Sequence, residues 1–142
     1  MSSNAERLRQ ARKLVGSDPM SRYLGLELIE LDEARAVTKY KPTADHLTAL
    51  KRVQGGAIFS QADHAIAMAA STLGGTVVTI EVKINFLASA GAGDTLIADA
   101  KTLDVKRKIS LWQIEIRKEP GELIAICHGL AYHARDKAYE DQ

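Results

Sequence analysis

The stretch Gln54–Thr72, QGGAIFSQADHAIAMAAST, constrains the fold more than any other part of this chain. From Ala57 to Leu73 it holds no proline or glycine, alanine dominates, and Gly74-Gly75 follows as a stop, so the pattern predicts a helix of about five turns. Its apolar residues, Ile58, Phe59, Ala62, Ala65, Ile66, Met68, Ala69, Ala70 and Leu73, run nearly all the way round. Such a helix is expected to be buried rather than laid on a surface. Its small alanines let a curved sheet come close to its axis, and one carboxylate, Asp63, sits among them.

The rest of the chain supplies strands to enclose that helix. Residues 4–15 carry Leu8, Ala11, Leu14 and Val15 at helical spacing, with Asn4 or Ser3 as N-cap and Gly16 as a stop, and predict a short amphipathic helix. Partial alternation over Tyr23–Leu31, the turn residues Asp32-Glu33, and Ala34–Lys41 predict two antiparallel strands. Pro42 to Arg52 has no period and reads as a loop. In Thr76–Ala88, Val78, Ile80, Val82, Ile84 and Phe86 alternate with polar residues, among them Glu81, Lys83 and Asn85, which predicts one core face and one wet face. Thr95–Val105, Ile109–Lys118 and Leu123–His133 continue as strands, broken by turns at Lys106-Arg107-Lys108 and Glu119-Pro120-Gly121-Glu122. The expected order is a short helix, two strands, the long helix, then four strands in a meander. This is a single α+β domain over residues 1–142, with one antiparallel sheet against a helix and a polar, frayed tail at 135–142.

Charge excludes some classes of partner. With 19 basic and 18 acidic residues the chain has no field suited to nucleic acid or to an anionic membrane. The single Cys127 lies in an apolar run and is expected to be a buried, inert thiol, which fits a reducing compartment. The charged N-terminus lacks the apolar core of a signal peptide, and no apolar run approaches about 18 residues, so a cytoplasmic protein is expected.

Two features suit acyl transfer to water, which needs a donor for a developing oxyanion and a base or nucleophile to bring oxygen to the carbonyl carbon. The first N–H groups of a helix are unpaired and carry the positive end of its dipole, and at Gly55 and Gly56 no side chain screens them. Asp63, among Ile, Phe and Ala side chains, is partly desolvated and suits the second task. Gly55 and Asp63 are eight residues apart, about 12 Å along one helix, so they cannot both touch one carbonyl. A shared site would take Asp63 from one chain and Gly55 from another, which predicts a homodimer, with pairing into tetramers as an extension. Plainer roles stand beside these. Asp63 could be a structural acid, Gly55-Gly56 a tight helix start, His64 a packing or interface residue, and Lys106, Arg107 and Lys108 a solvated turn. Ser60 and Gln61 have no base at useful spacing, and His128 and His133 belong to no ligand set for a metal.

From Tyr23 to His133 the chain resembles the hotdog-fold acyl-CoA thioesterases, most closely the PaaI-like branch named after phenylacetic acid metabolism. The resemblance is carried by Gly55-Gly56-Ala57-Ile58-Phe59-Ser60, by Ala62-Asp63-His64-Ala65, and by TIEVKINFL at Thr79–Leu87. It implies a sheet wrapped around a central helix, an acyl-CoA substrate and no cofactor. By position, it makes Asp63 the catalytic carboxylate and the Gly55 N–H the donor that polarises the thioester carbonyl. Gln54, Gly56, Thr48 and His64 become substrate-binding candidates, and Arg107 and Lys108 contacts for CoA phosphates. The family usually has His where this chain has Gln54, and Asn where it has Thr48. Those departures keep two alternatives open: a non-catalytic acyl-CoA or acyl-carrier binding protein, and a hotdog hydratase or dehydratase using Asp45-His46.

Overall fold

A computed structural model describes residues 3–134, so the tail expected at 135–142 lies outside the described residues. The elements in order are α1 (Asn4–Gly16), α2 (Pro19–Leu24), β1 (Glu27–Asp32), β2 (Arg35–Tyr40), a 3₁₀ turn (Ala44–His46), α3 (Gly55–Ser71), β3 (Thr76–Phe86), β4 (Leu96–Val105), β5 (Ile109–Lys118) and β6 (Glu122–Ala134). The strands form one antiparallel sheet in the order β1-β2-β4-β5-β6-β3, wrapped around α3.

Three expectations are corrected. The region read as the start of a strand at Tyr23 folds instead as α2, because Pro19 at its first turn fixes a helical φ and Gly25, at φ 72°, ends it. The last four strands do not form one meander: β4-β5-β6 do, but β3 crosses over to pair with β6. Backbone bonds steer that crossover, since the Leu87 and Ala88 N–H groups donate to the Ile124 carbonyl and Val53 N–H donates to Ala90. The third correction concerns β3 itself, whose register with β6 shifts between Thr79 and Glu81. That bulge reverses the alternation. Val77, Val82 and Ile84 pack on the core, while Val78 and Ile80 remain 38% and 54% exposed.

The core lies between α3 and the sheet. Trp112, Ile114 and Ile116 of β5 are fully buried, each contributing roughly 1.5–3 kcal/mol. Where α3 crosses β6, Ile66 fills the space beside Gly129, and a β-carbon on that glycine would meet Ile66 Cδ1 at 2.3 Å. The fully buried Gln61 ties the helix to the sheet by donating through Nε2 to the Leu96 carbonyl at 3.0 Å. The helix is not covered all round, however. Gly56 is exposed and Phe59, Ser60, Asp63, Ala67 and Ser71 are half-buried, leaving a stripe at helical spacing open along one side.

Candidate active site

Of the candidate residues, Gly56 and Asp63 lie on the open stripe of α3, with Gln54 and Gly55 at its head. At its head Gln54 is the N-cap in extended conformation, and its side chain makes no capping bond. Gly55 and Gly56 are the first two helical residues, so their N–H groups have no acceptor inside the helix and lie at the positive end of its dipole. The carboxamide oxygen of Gln54 stands over Gly56, 3.1 Å from the position of a β-carbon there. On the other side, the Phe86 ring covers Gly55. A cleft of about 420 Å³ opens here between the helix head, the loop residues Asp45 and His46, and the apolar wall made by Met20, Tyr23 and Leu24 of α2.

Asp63 lies farther along the same stripe and borders two more clefts. One, of about 480 Å³, is formed with Phe59, Ala67 and residues Val78 to Val82 of β3, beside the bulge and at the open edge of the sheet. The other, of about 280 Å³, runs under α2 past Met20, Leu24 and Ser60, which also line the cleft at the helix head. The outcome is a groove floored by α3 and roofed in part by α2.

His64, next to Asp63, faces α2. It is buried, with Ser21 Oγ 2.9 Å from Nδ1. The Ser21 hydroxyl donates its one proton to Asp18 at 2.6 Å, so its oxygen accepts from His64 Nδ1–H. Burial pulls the His64 pKa below its ordinary value, opposed by the charges of Asp18 and Asp63. These bonds fasten α2, and thus the groove roof, to α3. Asp18, Ser21, Met20 and Tyr23 were not among the sequence candidates, although Asp18-Pro19 is a helix-start signal.

Other candidates lie apart from the groove. Thr48 is exposed in the loop after the 3₁₀ turn, where its hydroxyl accepts from Leu50 N–H, and it borders none of the clefts described above. Arg107 and Lys108 are exposed in the β4–β5 turn and border none of them either. His128 bonds Gln113, and His133 bonds the buried Ser110, so each ring serves the sheet. Cys127 is buried and its pKa is pushed up to about 12, which makes it unreactive.

Comparison with known proteins places this fold in a family. The sequence profile of the thioesterase superfamily matches residues 50–125, from just before the helix head to β6. The acyl-coenzyme A thioesterase PaaI of Escherichia coli is 31% identical over 122 residues, which span 86% of this chain and 87% of that protein. The solved structure of E. coli PaaI, from the phenylacetic acid degradation operon, superposes with a TM-score of 0.88 at 30% identity, covering 93% of this chain and 96% of the other. A hypothetical thioesterase of Streptococcus pneumoniae, solved with coenzyme A, has a TM-score of 0.80 at 19% identity over 86% of this chain and 95% of its own, a likeness of fold.

Proposed function

The chain belongs to the thioesterase superfamily, and from that membership we propose that it hydrolyses an acyl-CoA thioester to the free acid and coenzyme A. The observation that carries the proposal is the arrangement on α3: glycine N–H groups at the helix head with no acceptor inside the helix, and a half-buried carboxylate farther along the same side. Asp63 takes a proton from water as the water oxygen adds to the thioester carbon. The Gly55 N–H holds the resulting oxyanion. Collapse breaks the C–S bond, and the thiolate of CoA leaves with the proton that Asp63 accepted. In the nucleophilic variant the Asp63 carboxylate adds to the thioester carbon and expels the CoA thiolate, and water then hydrolyses the mixed anhydride to the acid and the free Asp63 carboxylate, releasing the proton that the thiolate takes up. No redox cofactor enters either balance.

The two groups act from different chains. β3 is an edge strand with exposed Ile80 and Phe86, a surface suited to pairing with another strand. Antiparallel pairing of two copies about Glu81, the midpoint of β3, brings Phe86 of one chain beside Thr76 of the other. Phe86 covers Gly55, and the first half of β3 walls the Asp63 cleft, so one chain's helix head approaches its partner's Asp63. This supports a homodimer with two shared sites. Arg107 and Lys108, exposed and cationic, are proposed to meet CoA phosphates outside the groove.

A panel of short, medium, long and aromatic acyl-CoAs, read by thiol release, tests the activity. Turnover of at least one class is expected. Tight binding of CoA thioesters with no release would replace hydrolysis by the binding function.

A further inference from the structure

His46 sits in the wall of the cleft at the helix head, and its ring is held in a defined state. Two groups approach Nδ1: the Tyr40 hydroxyl at 2.6 Å and the Thr43 backbone N–H at 3.3 Å. A backbone N–H can only donate, so Nδ1 is an acceptor without a proton, and the neutral ring carries its proton on Nε2. Tyr40 is fully buried, and its ring lies 5.6 Å from that of His46 between centroids. The His46 carbonyl in turn accepts from Gln54 N–H at 2.9 Å, which ties the backbone carrying this ring directly to the head of α3. Among the described residues nothing accepts from Nε2. The loop therefore carries one oriented donor on a ring that lines a cleft also bordered by Gln54 and Gly56.

We propose that His46 is a substrate-positioning residue whose Nε2–H donates to a carbonyl oxygen of the acyl-CoA lying at the head of α3. The inference rests on the thioesterase function proposed above. Gln54 and the helix N–H groups occupy one side of the cleft, and His46 supplies a donor from the loop side that does not depend on a helix terminus. Tyr40 and Thr43 are its orienting partners, since they accept no proton from the ring and leave only Nε2–H for the ligand. The bond is present in the bound substrate as in the transition state, so it acts on binding more than on the chemical step.

Steady-state kinetics of the full-length protein with the acyl-CoA it turns over best, for the parent, His46→Phe and His46→Gln, test this. His46→Phe is expected to raise KM about tenfold with kcat within about threefold, and His46→Gln, whose amide retains a donor, to keep KM within about threefold. A merely structural role would lower the Tm of both variants and leave KM unchanged, and that result overturns the proposal. Long-range proton–nitrogen spectra of the histidine-labelled parent give an answer independent of turnover: His46 is expected as the Nε2–H tautomer, and an Nδ1–H tautomer contradicts the assignment. A parent that hydrolyses no acyl-CoA would instead remove the thioesterase function, and this role with it. An active parent with an unaffected His46→Phe removes only the role of His46.

Discussion

The ring of Phe86 stands over Gly55, with Cζ 2.9 Å from the point where a β-carbon on Gly55 would lie. The contact isolates the backbone donor for experiment. Proline is accepted at the first helical position, and the residue before it must be extended, as Gln54 is at φ −64° and ψ 139°. Gly55→Pro should thus keep the fold and delete the N–H. It is expected to lower kcat by about two orders of magnitude in a thiol-release assay. Gly55→Ala adds the same β-carbon but keeps the N–H, and the half-exposed Phe86 ring can swing aside, so its kcat should stay within about tenfold of the parent. Equal losses in the two variants would assign the effect to Phe86 and not to the donor.

A second glycine sets how closely helix and sheet approach. With Ile66 Cδ1 at 2.3 Å from its missing β-carbon, Gly129→Ala should cost about 1–3 kcal/mol, seen as a lower urea midpoint. Removing that methyl in Gly129→Ala with Ile66→Val should recover much of the loss. Additive losses would show that the contact is not the cause.

The buried His64 makes stability depend on pH. Its folded pKa is depressed below the ordinary 6.5, chiefly by burial, so the unfolded chain binds that proton more readily. Its contribution is fully present above about pH 6.5 and is lost as pH falls through the folded value. Urea midpoints at about pH 7.5 and about pH 5.5 should therefore fall more steeply for the parent than for His64→Gln. Parallel curves would contradict this. Because His64 fastens α2 over the groove through Ser21 and Asp18, its loss should also raise KM.

Much of this architecture was legible in the sequence. An alanine-rich helix bounded by glycines, and strands with uninterrupted alternation such as that holding Trp112, Ile114 and Ile116, follow from local pattern, and both formed. The bulge in β3 did not follow, since one unpaired residue, Ile80, inverts the faces without changing the composition. Nor did α2, where the apolar residues Leu24, Leu26 and Leu28 continue a false alternation across a glycine that ends a helix. At the candidate site, the placing of Asp63 and the glycines along one helix is legible because that helix is a local pattern. The partners of His46 and His64 come from Tyr40, Ser21 and Asp18, contacts that only the tertiary fold creates.

A dimer that shares its sites predicts complementation. Asp63→Ala and Gly55→Pro chains, co-expressed with different tags and purified through both, form heterodimers in which one of two sites joins an intact Asp63 to an intact Gly55. About half the parental activity per dimer is expected, whereas both homodimers should be nearly inactive. Heterodimers as inactive as the homodimers would place the whole site within one chain.

Thioester hydrolysis on this helix is expected to depend on Asp63. Thiol release by folded Asp63→Ala, measured with the acyl-CoA best used by the parent, tests it most directly. The expected result is a fall in kcat of about a hundredfold or more with the CoA thioester still bound. Release at the parental rate would show that hydrolysis does not depend on Asp63.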